Sequence, residues 1–491
     1  MRKNVWPAAC YELQIPPPTF GSRGDISRQR REKAEERRKK KAEQVSPQQQ
    51  PLLFYKHMEG AQVQAEAERE GGRTVRSYFA TVVTGLECWA LDEIKQKLGV
   101  EGVRPSQGKI YLQATRLPPT ALKRQIRSVE KFFLSVLFRQ EWKPDIPDEP
   151  HAASTYLNQL TEQIAWQQCL TDWLLLINSE DEDYEEEEEE EATKNKPCRL
   201  RPLNMHDISF RVTCRRSGIK TKTHSSQYIA GCIGEALQQK FNWKVDLTNF
   251  DLEVFVNVTD ELFAIGLPLQ RESLSKREYA QKAGGPALRA SIAYCMCRAA
   301  NIQQSMIVVD PMCGSGKILM EGRQEWLQAH FIGGDNNPQQ IKRAVKFLNA
   351  SSASAPKVAP TELFCWDATA LPLNSASVHL IISDIPFGKM HGSKSSNMLL
   401  YPLLLKEMNR VLVEGGKAVL LTSMKGLLCS ILKKNKHRWK TRSKHFINNG
   451  GLDCFIFVLE KVVPKRRKRK EETESKSAVS SSSTPSREQD E

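Results

Sequence analysis

Asp310-Pro311-Met312-Cys313-Gly314-Ser315-Gly316 is the stretch on which the reading of this 491-residue chain turns. It follows an apolar run at 306–310 and precedes a helical pattern at 317–328. An acid closing a buried strand, followed by glycines that open a helix, marks the ligand-binding end of an open α/β sheet. Gly314 and Gly316 let the backbone pass close to a ligand that a Cβ atom would hold off. A dinucleotide fingerprint wants a third glycine or alanine at position 319, where Leu319 stands, so pyrophosphate binding fits poorly. A cationic, phosphate-free nucleoside fits better, and S-adenosylmethionine, with a positive sulfonium and a positive amino group, is such a ligand. Asp310, Cys313, Gly314 and Gly316 are therefore the first cofactor-contact candidates.

Outward from this loop, strand-like runs at 331–335, 362–366, 378–384 and 417–422 alternate with helical patterns at 338–349 and 400–412. That alternation predicts a doubly wound, Rossmann-like parallel sheet over about 271–463, with an antiparallel pair near 445–447 and 452–459 on one edge. Asp335, followed by Asn336, ends the second strand, where a carboxylate can accept both ribose hydroxyls. Asp367 ends the third and is placed to take the adenine amine. Acids at strand ends also serve as plain helix caps; three in register favour the ligand reading.

A second constellation, Ser383-Asp384-Ile385-Pro386-Phe387-Gly388, ends the fourth strand. An exocyclic amine on a nucleobase is a poor nucleophile because its lone pair is delocalised into the ring. Acceptors on its hydrogens localise that pair, and the Asp384 carboxylate with the Ile385 carbonyl can supply them. Asp384 is also a cofactor-contact candidate. Pro386 stiffens the turn, and Phe387 can stack on an extruded base, worth roughly 1–3 kcal/mol. The alternative is a proline turn over a buried phenylalanine. Guanine and adenine amines fit the motif equally, and a non-catalytic RNA-binding scaffold is the reading from another class.

Upstream, strands at 78–83, 109–113 and 131–138 with helices at 87–98 and 117–127 suggest a small ferredoxin-like α+β module over 77–140. A second α/β module, over 141–270, has helices within 151–177 and 225–241 and strands at 208–214, 252–258 and 263–269. The second of these helices carries Ile229, Ile233, Leu237 and Phe241 on one face. Lysine and arginine number 72 against 58 acids, and Glu180–Glu191 holds eleven of those acids. Without that run 72 cations face 47 acids, a balance that favours a nucleic-acid partner over a membrane surface. Such a run cannot fold on itself and reads as a loop at 178–197 inserted into the second module. Residues 1–76 form a basic arm, with nine cations between Arg28 and Lys41, and 464–491 a basic, serine-rich tail. The tail's six consecutive cations at 465–470 point to the nucleus, with the cytoplasm as the second compartment. No run approaches the roughly 18 apolar residues of a membrane span. Twelve cysteines without a Cys-x-x-Cys pair predict reduced thiols and no metal site.

Asp310–Gly316, Asp335-Asn336-Asn337-Pro338 and Asp384-Ile385-Pro386-Phe387-Gly388-Lys389 together resemble the vertebrate THUMP domain-containing RNA methyltransferases. Residues 210–218 and 241–249 resemble the family's THUMP segment, and 287–293 its helix beside the cofactor. Gly266-Leu267-Pro268 and 382–387 lean toward the second-numbered branch, which reads as the nearer; 335–338 and Gly392-Ser393-Lys394 lean toward the third. The resemblance implies a class I S-adenosylmethionine-dependent methyltransferase fold behind ferredoxin-like and THUMP modules. It implies methylation of a guanine 2-amino group in structured RNA, either tRNA or a spliceosomal small nuclear RNA. It also implies a small zinc-binding activator subunit as partner. Lys317 departs from the family's threonine after the glycines, and Ile385 replaces the first proline of the wider motif.

Overall fold

The computed structural model of the chain describes residues 69–70, 73–100, 104–117, 119–140, 146–178, 208–218, 223–260, 262–277, 288–352, 358–386 and 394–463. The basic run at 28–41, the acidic run at 180–191, Phe387 with the loop at 388–393, and the tail from 464 lie outside the described residues.

The N-terminal half runs β1 (Arg69–Glu70), β2 (Arg73–Thr74), β3 (Arg76–Val82), α1 (Glu87–Leu98), β4 (Arg104–Ser106), β5 (Lys109–Ala114), α2 (Pro119–Gln125) and β6 (Val129–Gln140). It continues with α3 (Pro150–Glu162), α4 (Trp166–Asn178), β7 (Ser209–Arg216), α5 (Ser226–Phe241), β8 (Lys244–Val245), β9 (Leu252–Val258) and β10 (Leu262–Pro268). Local chemistry sets the ends of these elements. Ser225 caps α5 by accepting from the Tyr228 N–H, and Asn242 closes it in the left-handed region. The stripe of Ile229, Ile233 and Leu237 is buried on the sheet.

What reads along the chain as two small modules is one sheet of eight strands, ordered β4-β5-β3-β6-β10-β9-β7-β8. The join is β6 against β10, where Phe133 faces Pro268 and Arg139 faces Phe263. Ile94, Leu122, Leu157, Trp173 and Ile233 cover one face from the helices. The other face curls onto its own aromatic rings: Phe79 and Phe133 stack at 4.8 Å between centroids, Phe133 and Phe255 at 4.6 Å.

The C-terminal half runs α6 (Ala290–Ala300), β11 (Ile307–Asp310), α7 (Lys317–Glu325), β12 (His330–Asp335), α8 (Pro338–Ser352), β13 (Thr361–Cys365) and β14 (Val378–Asp384). Then follow α9 (Lys394–Val411), β15 (Leu412–Thr422), α10 (Lys425–Lys434), β16 (Trp439–Asn449) and β17 (Leu452–Lys461). Its sheet is ordered β13-β12-β11-β14-β15-β17-β16, parallel from β13 to β15, with β17 antiparallel to both neighbours. Alternate strand residues feed two helical layers: Val308 and Leu380 pack with α6, Val309 and Ile381 with α9. The strand order reverses between β11 and β14, so the crevice at their carboxyl ends is the place for a ligand. Asp310 and Asp384 end those two strands.

The N-terminal sheet is docked on this domain through α1. Val83 and Leu86 belong to the same core cluster as Ile292, Tyr294 and Ile447. A Cβ on Gly85, whose φ is +97°, would lie 1.8 Å from the Phe446 carbonyl oxygen, so only glycine lets the two surfaces close. Lys97 Nζ donates to Glu93, to Glu325 and to the Tyr294 hydroxyl. Glu321 of α7, fully buried, takes Arg127 Nε at 2.9 Å and Arg277 Nε at 3.2 Å. Burial would raise its carboxyl, but the two guanidiniums hold it below the usual range.

Candidate active site

Each turn of the glycine loop is tied down. Gly314 and Gly316 have φ of +54° and +80°, conformations that L-residues with a Cβ rarely adopt. Among the described residues beyond its chain neighbours, a Cβ on Gly314 would meet no atom within 4 Å, so they leave the space above this backbone open. The Cys313 N–H donates to the Gly334 carbonyl at 2.8 Å, and the Trp366 indole N–H to the Pro311 carbonyl at 3.0 Å. The Gly314 N–H donates to Asp335 Oδ2 at 3.0 Å, while Asp335 Oδ1 accepts from the Asn337 N–H. The loop is thus preorganised by the strand ends on either side of it.

Asp310 is 2 % exposed and accepts from Ser383 Oγ at 2.8 Å and from the Met312 N–H. Burial pushes its carboxyl up to about 7; those two donors offset part of this, and the charges of Asp384 and Asp335 add to it. Burial also pushes Asp384 up to about 7, and its Oδ1 is buried without a hydrogen-bond partner among the described residues. Three carboxylates from three adjacent strands therefore face one crevice. Such a cluster is stabilised by a cation and disfavours phosphate. Open space over a glycine backbone, an orphaned carboxylate oxygen and excess negative charge fit S-adenosylmethionine.

The structure brings Asp310, Cys313, Gly314, Gly316, Asp335 and Asp384 together on neighbouring strand ends, with Pro386 one turn beyond. Asn336 is exposed at the rim. Asp367 does not end the third strand, which stops at Cys365; its Oδ1 instead accepts from the Thr369 N–H and hydroxyl, the ordinary turn-capping use of an aspartate. Cys295 and Cys297 are buried in α6, and Lys317 lies at the first turn of α7 with its ammonium 4.9 Å from the centre of the Phe347 ring.

Sequence reasoning missed the residues behind the second motif. The Pro386 carbonyl accepts from Asn397 Nδ2 and from the Tyr401 hydroxyl, both at 2.8 Å, and Tyr401 also bonds Thr422 Oγ1 at 2.8 Å. A signal existed in the spacing, since Asn397 and Tyr401 are four apart and share a helix face.

The family described as "RMKL-like, methyltransferase domain" matches residues 277–454, and the THUMP domain family matches 195–267. A Bos taurus tRNA (guanine(6)-N(2))-methyltransferase THUMP3 is 31 % identical over 449 residues, 78 % of this chain and 88 % of that one. A Bos taurus U6 snRNA (guanine-N(2))-methyltransferase THUMPD2 is 30 % identical over 411 residues, 70 % of this chain and 78 % of that one. Among solved structures, TrmN from Thermus thermophilus superposes with a TM-score of 0.59 at 24 % identity, covering 79 % of this chain and 99 % of that chain. SMU.472, a methyltransferase fold complexed with SAH, superposes at 0.55 and 14 % identity, covering 78 % and 97 %. The fold is thus that of the class I methyltransferases, and with both domains matched and relatives aligned over most of their length, the chain belongs to the THUMP-domain RNA guanine-N2 methyltransferases.

Proposed function

We propose that this chain methylates the 2-amino group of a guanine in structured RNA, a tRNA or the U6 small nuclear RNA. The observation that carries the reading is Asp384 Oδ1 at the switch point, without a partner among the described residues, beside the glycine loop they leave open. Asp310, Asp335 and Asp384, with the backbone of 313–316, would hold S-adenosylmethionine, and Asn336 and Asp367 would lie at its nucleoside end. When bound, the cofactor supplies an electrophilic methyl group on a cationic sulfur. Asp384 and the Ile385 carbonyl accept from the amine hydrogens and localise the nitrogen lone pair. With its carboxyl near 7, Asp384 also has the proton affinity to take the proton that the nitrogen sheds. Phe387 would stack on the base, and Pro386 would hold the turn that aims it.

RNA is held by the N-terminal sheet in this reading. Arg215 lies over the Phe255 ring at 5.9 Å, and Arg211 and Lys131 flank Glu253 on the same curled face. A small zinc-binding activator subunit completes the enzyme, a proposal that rests on the family resemblance, and the basic run at 465–470 directs the protein to the nucleus. The test is labelled methyl transfer to fractionated cellular RNA by the full chain, with and without the activator, followed by nucleoside mass spectrometry. N2-methylguanosine in tRNA or small nuclear RNA is expected; N6-methyladenosine, or no incorporation despite cofactor binding, would replace the reading. Tagging the full chain and a form lacking 464–491 tests the compartment, since equal distribution of the two removes the tail from the argument.

A further inference from the structure

We propose that Asn397 and Tyr401, backed by Thr422, are positioning residues for methyl transfer: they bind the Pro386 carbonyl and so leave the Ile385 carbonyl as the acceptor of this turn that no described residue uses. The proposal rests on the function above and adds residues from α9 and β15 to it.

A carbonyl oxygen has two lone pairs. At Pro386 both are used, one by Asn397 Nδ2 and one by the Tyr401 hydroxyl. This carbonyl therefore points at α9 and is not offered to a substrate. On the other side, the Ile385 N–H donates to the Leu421 carbonyl at 3.1 Å, which continues the β14–β15 ladder one residue past Asp384. The Ile385–Pro386 peptide has no N–H of its own, and proline holds its φ near −65°. That peptide plane is gripped at both ends, and its carbonyl accepts from no described residue. The two acceptors needed by an exocyclic amine, Asp384 Oδ1 and Ile385 O, are set by the same clamp.

The clamp has a direction. A tyrosine hydroxyl has one hydrogen, and that of Tyr401 goes to Pro386. Its contact with Thr422 must then be a bond that Thr422 Oγ1 donates, and Thr422 Oγ1 in turn accepts from the Met424 N–H at 2.9 Å. The chain of donors runs Met424 N–H, Thr422 hydroxyl, Tyr401 hydroxyl, Pro386 carbonyl. Asn397, Tyr401 and Thr422 are 1 %, 0 % and 0 % exposed, so no water competes with these bonds. A buried polar chain of this kind is needless for packing alone, where apolar side chains of the same shape would serve.

The test is steady-state methyl transfer by the full chain together with its activator subunit, with tritiated S-adenosylmethionine and tRNA or U6 RNA, for Asn397→Leu, Tyr401→Phe, Thr422→Val and Thr422→Ser. Each of the first three is expected to lower kcat about tenfold, the loss of one buried hydrogen bond, with RNA KM and cofactor affinity within about twofold of wild type. Thr422→Ser keeps the hydroxyl and should recover most of the loss. Values of kcat within twofold of wild type in all three would overturn the proposal. So would a uniform fall in kcat, cofactor affinity and thermal midpoint that serine does not rescue, because that pattern is damage to packing. An inactive wild type overturns the function itself, whereas an active wild type with equally active variants overturns this assignment alone.

Discussion

The two sheets of this protein bury charge of opposite sign. In the C-terminal sheet three strand-end carboxylates meet in one crevice, and burial drives Asp310 and Asp384 up to about 7. In the N-terminal sheet burial drives Lys109 down to about 8, the charge of Arg215 adds to that and Glu87 opposes it. Each site is made worse in the free protein, since like charges are held together away from water. Each would be relieved by its own ligand: a sulfonium nucleoside in one, an RNA phosphate in the other. In the proposed reading, this difference keeps a cationic cofactor apart from a polyanionic substrate. Between them lies the docked seam of Lys97, Arg127, Arg277, Glu93, Glu321 and Glu325, where the charges are paired.

The sharpest way to break the comparison is Asp384→Ala. Methyl transfer should fall by about 10³-fold or more, as expected when a group that touches the reacting amine is removed. RNA affinity, read by filter binding, should stay within about twofold, and a large loss there would merge the two sites into one. Next comes the seam. Glu321→Ala leaves Arg127 and Arg277 buried without their carboxylate and should cost about 3–5 kcal/mol in denaturant unfolding. A change under about 1 kcal/mol would mean that the seam is an exposed ion pair in solution.

Asp310→Asn tests the stored repulsion. The folded carboxyl keeps its proton up to about pH 7, whereas an unfolded one releases it at about 4. The folded state thus binds more protons between those values, and the free protein loses stability as pH rises through them. The asparagine variant lacks that slope and should melt a few degrees higher at pH 8, with weaker cofactor binding by calorimetry. A lower midpoint at pH 8 would show that the Ser383 and Met312 bonds outweigh the repulsion. The smallest effect belongs to Lys109→Met, which should weaken RNA binding about threefold and lower the salt slope by about one. Wild-type RNA affinity should also fall as pH rises through about 8, where Lys109 loses its charge; an unchanged salt slope would remove Lys109 from the RNA face.

Elements that bury one whole face in a sheet were legible. The expected strands at 252–258 and 378–384 coincide with β9 and β14, and the helix at 87–98 with α1. Elements whose stability comes from a neighbour were not. The edge strand β16 starts at Trp439, six residues before the expected 445, because Lys440, Arg442 and Lys444 read as a polar loop until β17 pairs with Lys440 and Lys444 on either side of a bulge at Arg442. Helix α9 starts at Lys394, before the expected 400, through serines and an asparagine of low helix propensity. Its first turn carries Asn397, which donates to the Pro386 carbonyl.

The amino-acid order by itself determined the chemistry of the crevice. An acid, two glycines with positive φ and a second strand-end acid can be read from strand periodicity, because a parallel strand must end where its helix begins. Only the tertiary structure decided which acceptors stay free. Whether Asp384 Oδ1 and the Ile385 carbonyl face a ligand depends on what binds the Pro386 carbonyl, and that group arrives from a helix packed across the sheet. The same holds for the joined N-terminal sheet, since the β6–β10 pairing links residues more than a hundred positions apart. Local sequence can specify a strand, but which strand it pairs with is a balance of burial over the whole fold.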